Sequence, residues 1–327
     1  MSAISANNPS ATLSGAAESR FALRRLVSTG MFWACALGTL SVVIILVLVA
    51  GYLFILGLPG IKWSLFTQDP TGDALSPGGL RHAIVGTTQL LLMASVVGVP
   101  LGMLTGVYLS EYSRERGFWS WLAKPTRFIA DVLAGVPSIV IGILGYELLV
   151  VPMSSSHLWT TLLPERVIGV VAHVVPNGNY NGYAGALALA FIIIPIVART
   201  TEEMLRLVPD SYRAGSLALG ATKSQTITRV VLPAATGSIV TGVMLALARV
   251  AGETAPLLFT ALGNRALTLD PSQPFPSLTV QVYQYVTGPY QAQKQVGWAG
   301  ILVLIALLLV LNLSIRLVAA RAMRSRT

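Results

Sequence analysis

The chain has 327 residues, of which 54% are hydrophobic and only 11% charged. Soluble domains carry about 25% charged residues, so this composition excludes an ordinary soluble protein and describes a membrane protein with little mass outside the bilayer. The net charge of +9 does not indicate a nucleic-acid partner, because the basic residues gather at the ends of apolar runs, where membrane proteins encode their orientation.

In chain order, Met1 to Ser19 is polar and rich in Ala, Ser and Asn. Residues 1–30 are expected to form a disordered cytoplasmic tail. The apolar run after Arg20, Arg24 and Arg25 is too long for a signal-peptide core and has no evident cleavage site. It reads as a retained, peripheral first span over 31–57. Its Cys35 is the single cysteine, so no internal disulfide can form.

Five further apolar runs predict spans over 83–110, 128–151, 183–204, 236–262 and 297–319, giving six helices and an all-α polytopic bundle. The transport core is expected over 83–319, with a basic cytoplasmic tail over 320–327. Fifteen basic residues fall in the two terminal segments, the end of the last span (Arg316) and the 111–127 and 205–235 loops, including Arg114, Arg116, Lys124 and Arg127. Five fall in the other three loops: Lys62, Arg81, Arg166, Arg265 and Lys294. This bias puts both termini and the 205–235 loop in the cytoplasm. Pro152 to Gly182 and 263–296 are turn-rich and nearly uncharged; they fit either plain connections or a rim for an external partner.

Gly98 with Pro100, Gly135 with Pro137, Pro195, and Gly252 with Pro256 interrupt four of the six spans. Such breaks are tolerated where a helix is buried in protein or lines a wet path.

Arg249 lies near the midpoint of the fifth apolar run, with Glu253 four residues on. A charge at mid-bilayer costs at least ~3 kcal/mol, so it faces a cavity and a partner. The partner is either Glu253 on the same helix face or something anionic from outside the helix. Arg199 lies toward the cytoplasmic end of the fourth span, with Glu202 and Glu203 three and four residues later. Either carboxylate can pair with it, and snorkelling to the interface is the competing structural reading. Asp131 and Glu147, toward opposite ends of the third span, read as capping or interfacial residues. His82, His157 and His173 fall at or beyond helix ends without metal-ligand spacing.

The loop from Asp210 to Pro233 reads DSYRAGSLALGATKSQTITRVVLP. It predicts a short helix over 214–219 stopped by Gly220, then a second helix over 221–232 ending before Pro233. Arg213, Lys223 and Arg229 fringe this helix–turn–helix.

Gly215-Ser216, Gly220, Val230 and Leu232-Pro233 resemble the coupling-loop signature of type I (MetI-like) ABC-importer permeases. One departure is Ala214, where that family often has a glutamate. ARVAGETAPLLFT over 248–260, ARTTEEML over 198–205 and ADVLAGVPSI over 130–139 resemble the A-type permease family (PstA) of the high-affinity phosphate importer. The resemblance implies a bacterial inner-membrane permease subunit paired with a C-type phosphate permease. It also implies two copies of an ATPase subunit carrying ATP and Mg, and an extracytoplasmic phosphate-binding protein. No cofactor is implied on this chain, and lipid is its remaining partner. It further implies a substrate pathway at Arg199, Glu202 and Arg249, to which the spacing from Arg249 adds Glu253, and coupling to the ATPase through Ala214, Gly215, Ser216, Gly220 and Pro233. Guanidinium suits this task, because its planar fork matches phosphate oxygens and keeps its charge when desolvated. A carboxylate such as Glu202 would compete for the guanidinium and keep binding weak enough for release.

No catalytic residue or metal site is expected. The chain lacks G-x-x-x-x-G-K-[ST], since Gly220-Ala221-Thr222-Lys223-Ser224 has no glycine before the lysine. G-x-S-x-G and H-E-x-x-H are absent too, which argues against an intramembrane hydrolase. A permease for another oxyanion and an ion-coupled anion transporter remain as alternatives.

Overall fold

A computed structural model describes residues 9–113, 118–151, 161 and 179–324. Arg114, Arg116, His157, Arg166, His173 and most of the 152–182 loop lie outside the described residues. The chain divides into one unit ending at Ile55 and a second beginning at Leu56.

The first unit is α1 (Pro9–Gly57) up to Ile55. The helix starts at Pro9, inside the 1–30 segment. From Arg24 to Ile55 its side chains are almost all exposed. So much exposed apolar surface requires lipid around it.

The second unit holds the remaining elements. Its first helices are α2 (Trp63–Thr67) and α3 (Arg81–Val107), the latter extended by a π-turn at Tyr108–Tyr112. Next come α4 (Phe118–Gly135), α5 (Ser138–Leu149) and α6 (Gly182–Arg206). The 205–235 segment carries α7 (Asp210–Ala218) and α8 (Lys223–Thr226), then a π-turn at Ile227–Val231 that runs into α9 (Leu232–Ala251). Last come α10 (Ala255–Thr260), α11 (Leu278–Thr287) and α12 (Gln291–Arg324). Among the described residues, five helices are long and apolar enough to span a membrane, and a bent pair makes up to six.

The bundle is organised on α3 and α6. Gly98, Gly102 and Gly106 recur every four residues on α3, so one stripe has no side chains and α6 packs directly against it. A Cβ on Gly102 would lie 2.7 Å from Val197 Cβ, and one on Gly106 would lie 2.6 Å from Thr201 Cβ. We expect Gly102→Val to destabilise the purified protein by about 1–3 kcal/mol through overpacking. Thermal unfolding in detergent, followed by tryptophan fluorescence, tests this.

Two of the four expected breaks are not breaks, since Pro100 and Pro195 sit inside continuous α3 and α6. The other two are sharper than a kink. At Val136–Pro137 the third span bends by 109° between α4 and α5, because Pro137 takes extended backbone angles as the N-cap of α5. The predicted fifth span does not continue to 262: α9 ends at Ala251, and Pro256 opens α10. Thr279 Oγ1 on α11 donates to the Glu253 carbonyl in this break at 3.0 Å.

The 263–296 segment is more than a connection. Phe275, fully buried, packs where a Gly182 Cβ would lie, and the backbone of Gly182 donates to the Pro271 carbonyl at 2.7 Å. Asn181 Oδ1 accepts from Ala184 N at 2.8 Å and caps α6.

Candidate functional site

Both helix breaks open onto one narrow cleft, lined by Ala134, Val136 and Ser138 at the α4–α5 bend, Ile192 and Ile196 of α6, and Arg249 and Glu253. Arg249 occupies the last turn of α9 rather than the middle of a helix, which corrects the mid-helix expectation. A cation there is favoured by the helix dipole. Its depth is nevertheless central. The packing of α9 on α6 sets Gly242 against Thr200, while Arg249 reaches Ile192 and Ile196, so the two helices are antiparallel. Arg249 is therefore level with the middle of α6. Because α9 has ended, Glu253 no longer shares a helix face with Arg249. Among the described residues, no ion pair within 4.0 Å joins the two.

Ile192, Ile196, Arg199 and Glu203 lie three or four apart on one face of α6. Arg199 thus continues the cleft wall, roughly 8 Å further along the axis than Arg249 at 1.5 Å per residue. Its guanidinium donates to Asp131 Oδ1 of α4 at 3.1 Å and to Glu203 Oε1 at 3.2 Å. The side chain is 59% exposed in this single chain, although it sits on a membrane-spanning helix. Asp131 is thus a partner of Arg199 across two helices rather than a cap, a role its position in the third span did not reveal.

Glu202 does not pair with Arg199. It is turned about 60° around α6 from Arg199, only 8% exposed, where one oxygen accepts from Arg127 Nε and NH2 at 3.1 and 2.6 Å and from Arg206 NH2 at 2.5 Å. Arg127 had been assigned to a loop. Instead α4 begins at Phe118, and Arg127 reaches α6 from within it. A buried carboxylate held by two guanidiniums is a strong charge-assisted contact, and it ties α4 to α6.

Gly220, at φ +83°, ends the first helix of the 205–235 segment as predicted. That helix starts earlier than expected, at Asp210. The second helix does not stop before Pro233. Thr222 and Gln225 form a capping box at its start. The Ile227–Val231 π-turn then carries it past Pro233, which lies in the first turn of α9 and needs no N–H there. Ser211, Tyr212, Gly215, Leu219, Ala221 and Val230 line an open apolar groove on this segment. Ser216 and Thr226 hydroxyls meet beneath it at 2.9 Å. Ala214 and Gly215 are exposed, and no atom lies near a Cβ built on Gly215.

Arg213 faces the other way. Its guanidinium donates to both oxygens of Glu111 at 2.6 and 3.1 Å, to the Leu205 and Val208 carbonyls at 2.8 and 2.6 Å, and to Asp210 Oδ1 at 3.2 Å. The Glu111 carboxylate raises the Arg213 pKa above its ordinary value, so this charge is permanent. Glu111 was not singled out in the sequence, where it closes an apolar run.

Residues 98–324 match the family described as binding-protein-dependent transport system inner membrane component. A phosphate transport system permease protein PstA of Yersinia pestis is 39% identical over 265 residues, covering 81% of this chain and 80% of that one. A protein of the same description from Haemophilus influenzae is 38% identical over 291 residues, 89% of each chain. A crystal structure of a bacterial ABC transporter involved in the import of the acidic polysaccharide alginate shares the fold. Its TM-score is 0.53 at 15% identity, covering 93% of this chain and 99% of that one. By this likeness over most of its length, the chain belongs to the binding-protein-dependent inner-membrane permeases and, within them, to the PstA family.

Proposed function

We propose that this chain forms half of the transmembrane pathway of an ATP-driven phosphate importer. One observation carries the reading: two guanidiniums, Arg199 and Arg249, stand exposed within apolar helices, Arg249 lining the cleft and Arg199 roughly 8 Å beyond it along α6. Lipid cannot cover them without a large penalty. A second permease closing over this face, with the pathway between, removes that penalty. The charge of phosphate then compensates theirs.

The guanidiniums lie at different depths, so phosphate meets Arg249 at the helix breaks and Arg199 further in. Asp131 and Glu203 hold Arg199 when phosphate is absent and reclaim it on release. Glu253, at the rim of the cleft, acts on Arg249 through space. Glu202 belongs to the pathway indirectly, by fixing α4 against α6 through Arg127.

The second permease is of the C type. Two ATPase subunits, with ATP and Mg, grip the 205–235 segments of the pair from the cytoplasm of a bacterial cell. Here the groove beside Gly215 and Ser216, with Leu219 and Tyr212 exposed, offers the apolar contact. Gly220 and Pro233 set its shape. Ala214 leaves docking to shape rather than to a carboxylate. A phosphate-loaded binding protein meets the opposite side, and both termini are cytoplasmic, as the basic bias indicates.

Phosphate uptake into vesicles bearing the reconstituted complex tests the reading. Uptake should require ATP and the loaded binding protein and should survive ionophores that collapse proton and sodium gradients. Uptake that follows the gradient and ignores ATP would replace this reading with an ion-coupled transporter. ATP-dependent import of another oxyanion in preference to phosphate would overturn the substrate.

A further inference from the structure

We propose that Arg213 and Glu111 form a latch that transmits movement of the ATPase-contacting loop into α3 and α6, so that ATP hydrolysis and transport stay in step. This rests on the function proposed above and names the residue pair that performs its coupling.

The argument starts from where the side chains point. On α7, Tyr212, Ala214 and Gly215 are exposed. Arg213, at 14% exposure, is turned inward, as is Ser216 one turn on. Its partner Glu111 is 7% exposed and sits in the π-turn that ends α3. π-turns shift the register of a helix by one residue and recur at functional sites. Here the turn brings an acidic side chain from the end of an apolar helix to the underside of the loop. The Ser110 hydroxyl donates to the same carboxylate at 3.2 Å.

One guanidinium therefore joins three elements: the end of α3 through Glu111, the end of α6 through the Leu205 carbonyl, and α7 itself. A second strap lies beside the first, with Lys223 Nζ 4.3 Å from the centre of the Tyr112 ring. Both halves of the loop are thus fastened to the same π-turn. Stability alone is a weak reason for such an arrangement, since a buried ion pair often contributes no more than apolar residues of equal volume.

The packing says where the motion goes. The glycine stripe fuses α3 to α6 along their length. A push on the loop then moves α3 and α6 together, and Arg199 rides on α6. The α4–α5 segment, bent at Val136–Pro137 and carrying Asp131, is held to this body through Arg127 and the Arg199 ion pair. Any part of the loop's movement that α4 does not follow is taken up at the Arg199–Asp131 contact.

The test uses the whole importer in vesicles, with phosphate uptake and ATP hydrolysis measured together. In Glu111→Gln, hydrolysis should continue without the loaded binding protein, and phosphate imported per ATP should fall about tenfold, within the usual range of coupling energies. Arg213→Lys keeps the charge but cannot reach Glu111 and both carbonyls at once; about threefold loss of the same ratio is expected, and likewise for Tyr112→Leu. A role in folding alone would lower both activities in proportion to assembled complex and leave the ratio unchanged, which overturns the latch. If Glu111→Gln does not assemble, the two milder variants decide. Failure of all three to assemble also overturns the proposal, because the contact is then a folding requirement. If wild-type vesicles import no phosphate, the function proposed above fails instead, and the latch is judged by whether the variants free ATP hydrolysis from the binding protein.

Discussion

Importers carrying Arg249→Gln should take up phosphate about a hundredfold more slowly than wild type, the scale on which removing one preorganised charged donor from a buried site acts. Two explanations of Arg249 compete. As a purely structural residue it is a cation in the last turn of α9, contributing about 0.3–1 kcal/mol through the helix dipole. Its loss would then lower stability slightly and leave uptake normal. As a pathway residue it is the positive charge at the depth where both helix breaks meet, and a dehydrating anion has no substitute for it. Arg249→Lys separates charge from shape. The ammonium keeps the charge but not the two-pronged donor, so uptake should fall about tenfold. In both variants, stimulation of ATP hydrolysis by the loaded binding protein should stay within about twofold of wild type, since the coupling contacts are elsewhere in the chain. Unchanged uptake with Arg249→Gln would return this arginine to the structural reading.

Hydropathy located the spans well because it is a property of single residues summed over a window, and the observed helices 81–112, 182–206 and 291–317 fall where the apolar runs predicted them. Gly220 was equally legible, since only its backbone freedom had to be recognised. The breaks were not. Four proline-containing sites looked alike in sequence. Pro100 and Pro195 stay helical because they lie in the tightly packed α3–α6 pair, where neighbouring surfaces hold the helix together. Pro137 is the N-cap of α5 and Pro256 lies in the first turn of α10, positions where a helix starts and a missing N–H costs nothing. The small-residue stripe Gly98, Gly102 and Gly106 was itself readable from its spacing of four, and it would have distinguished Pro100 from Pro137. The charge pairs were least legible of all. Arg199 with Asp131, Arg127 with Glu202 and Arg213 with Glu111 join residues 68, 75 and 102 apart. A helical-spacing rule sees only partners three or four apart, and it correctly identified Glu203 but not the longer-range partners. The consequence fell on Glu202. Three residues from Arg199, it looked like the partner, yet a three-residue step turns it about 60° away from the cleft face.

Glu202→Gln should impair transport through α4 rather than through Arg199. The carboxylate oxygen that accepts from Arg127 and Arg206 would become a neutral amide oxygen between two guanidiniums, which then repel one another. Both arginines are partly exposed, so solvent screens some of that repulsion. Loss of two charge-assisted contacts at a nearly buried oxygen still corresponds to about 2 kcal/mol. Purified protein should therefore unfold at lower temperature, yet insert and assemble. Uptake should fall about tenfold, because α4 carries Asp131 and a shift of α4 alters the ion pair that releases Arg199. The same reasoning makes Arg127→Gln a close copy of Glu202→Gln, with the double variant no worse than either alone. Arg206→Gln should be milder, since Arg206 follows Glu202 on the same helix and its loss leaves the tie between helices intact. Were Glu202 instead a direct competitor of phosphate, Arg127→Gln would leave uptake normal while Glu202→Gln impaired it. Normal uptake by a correctly inserted Glu202→Gln protein would remove the carboxylate from the transport cycle altogether.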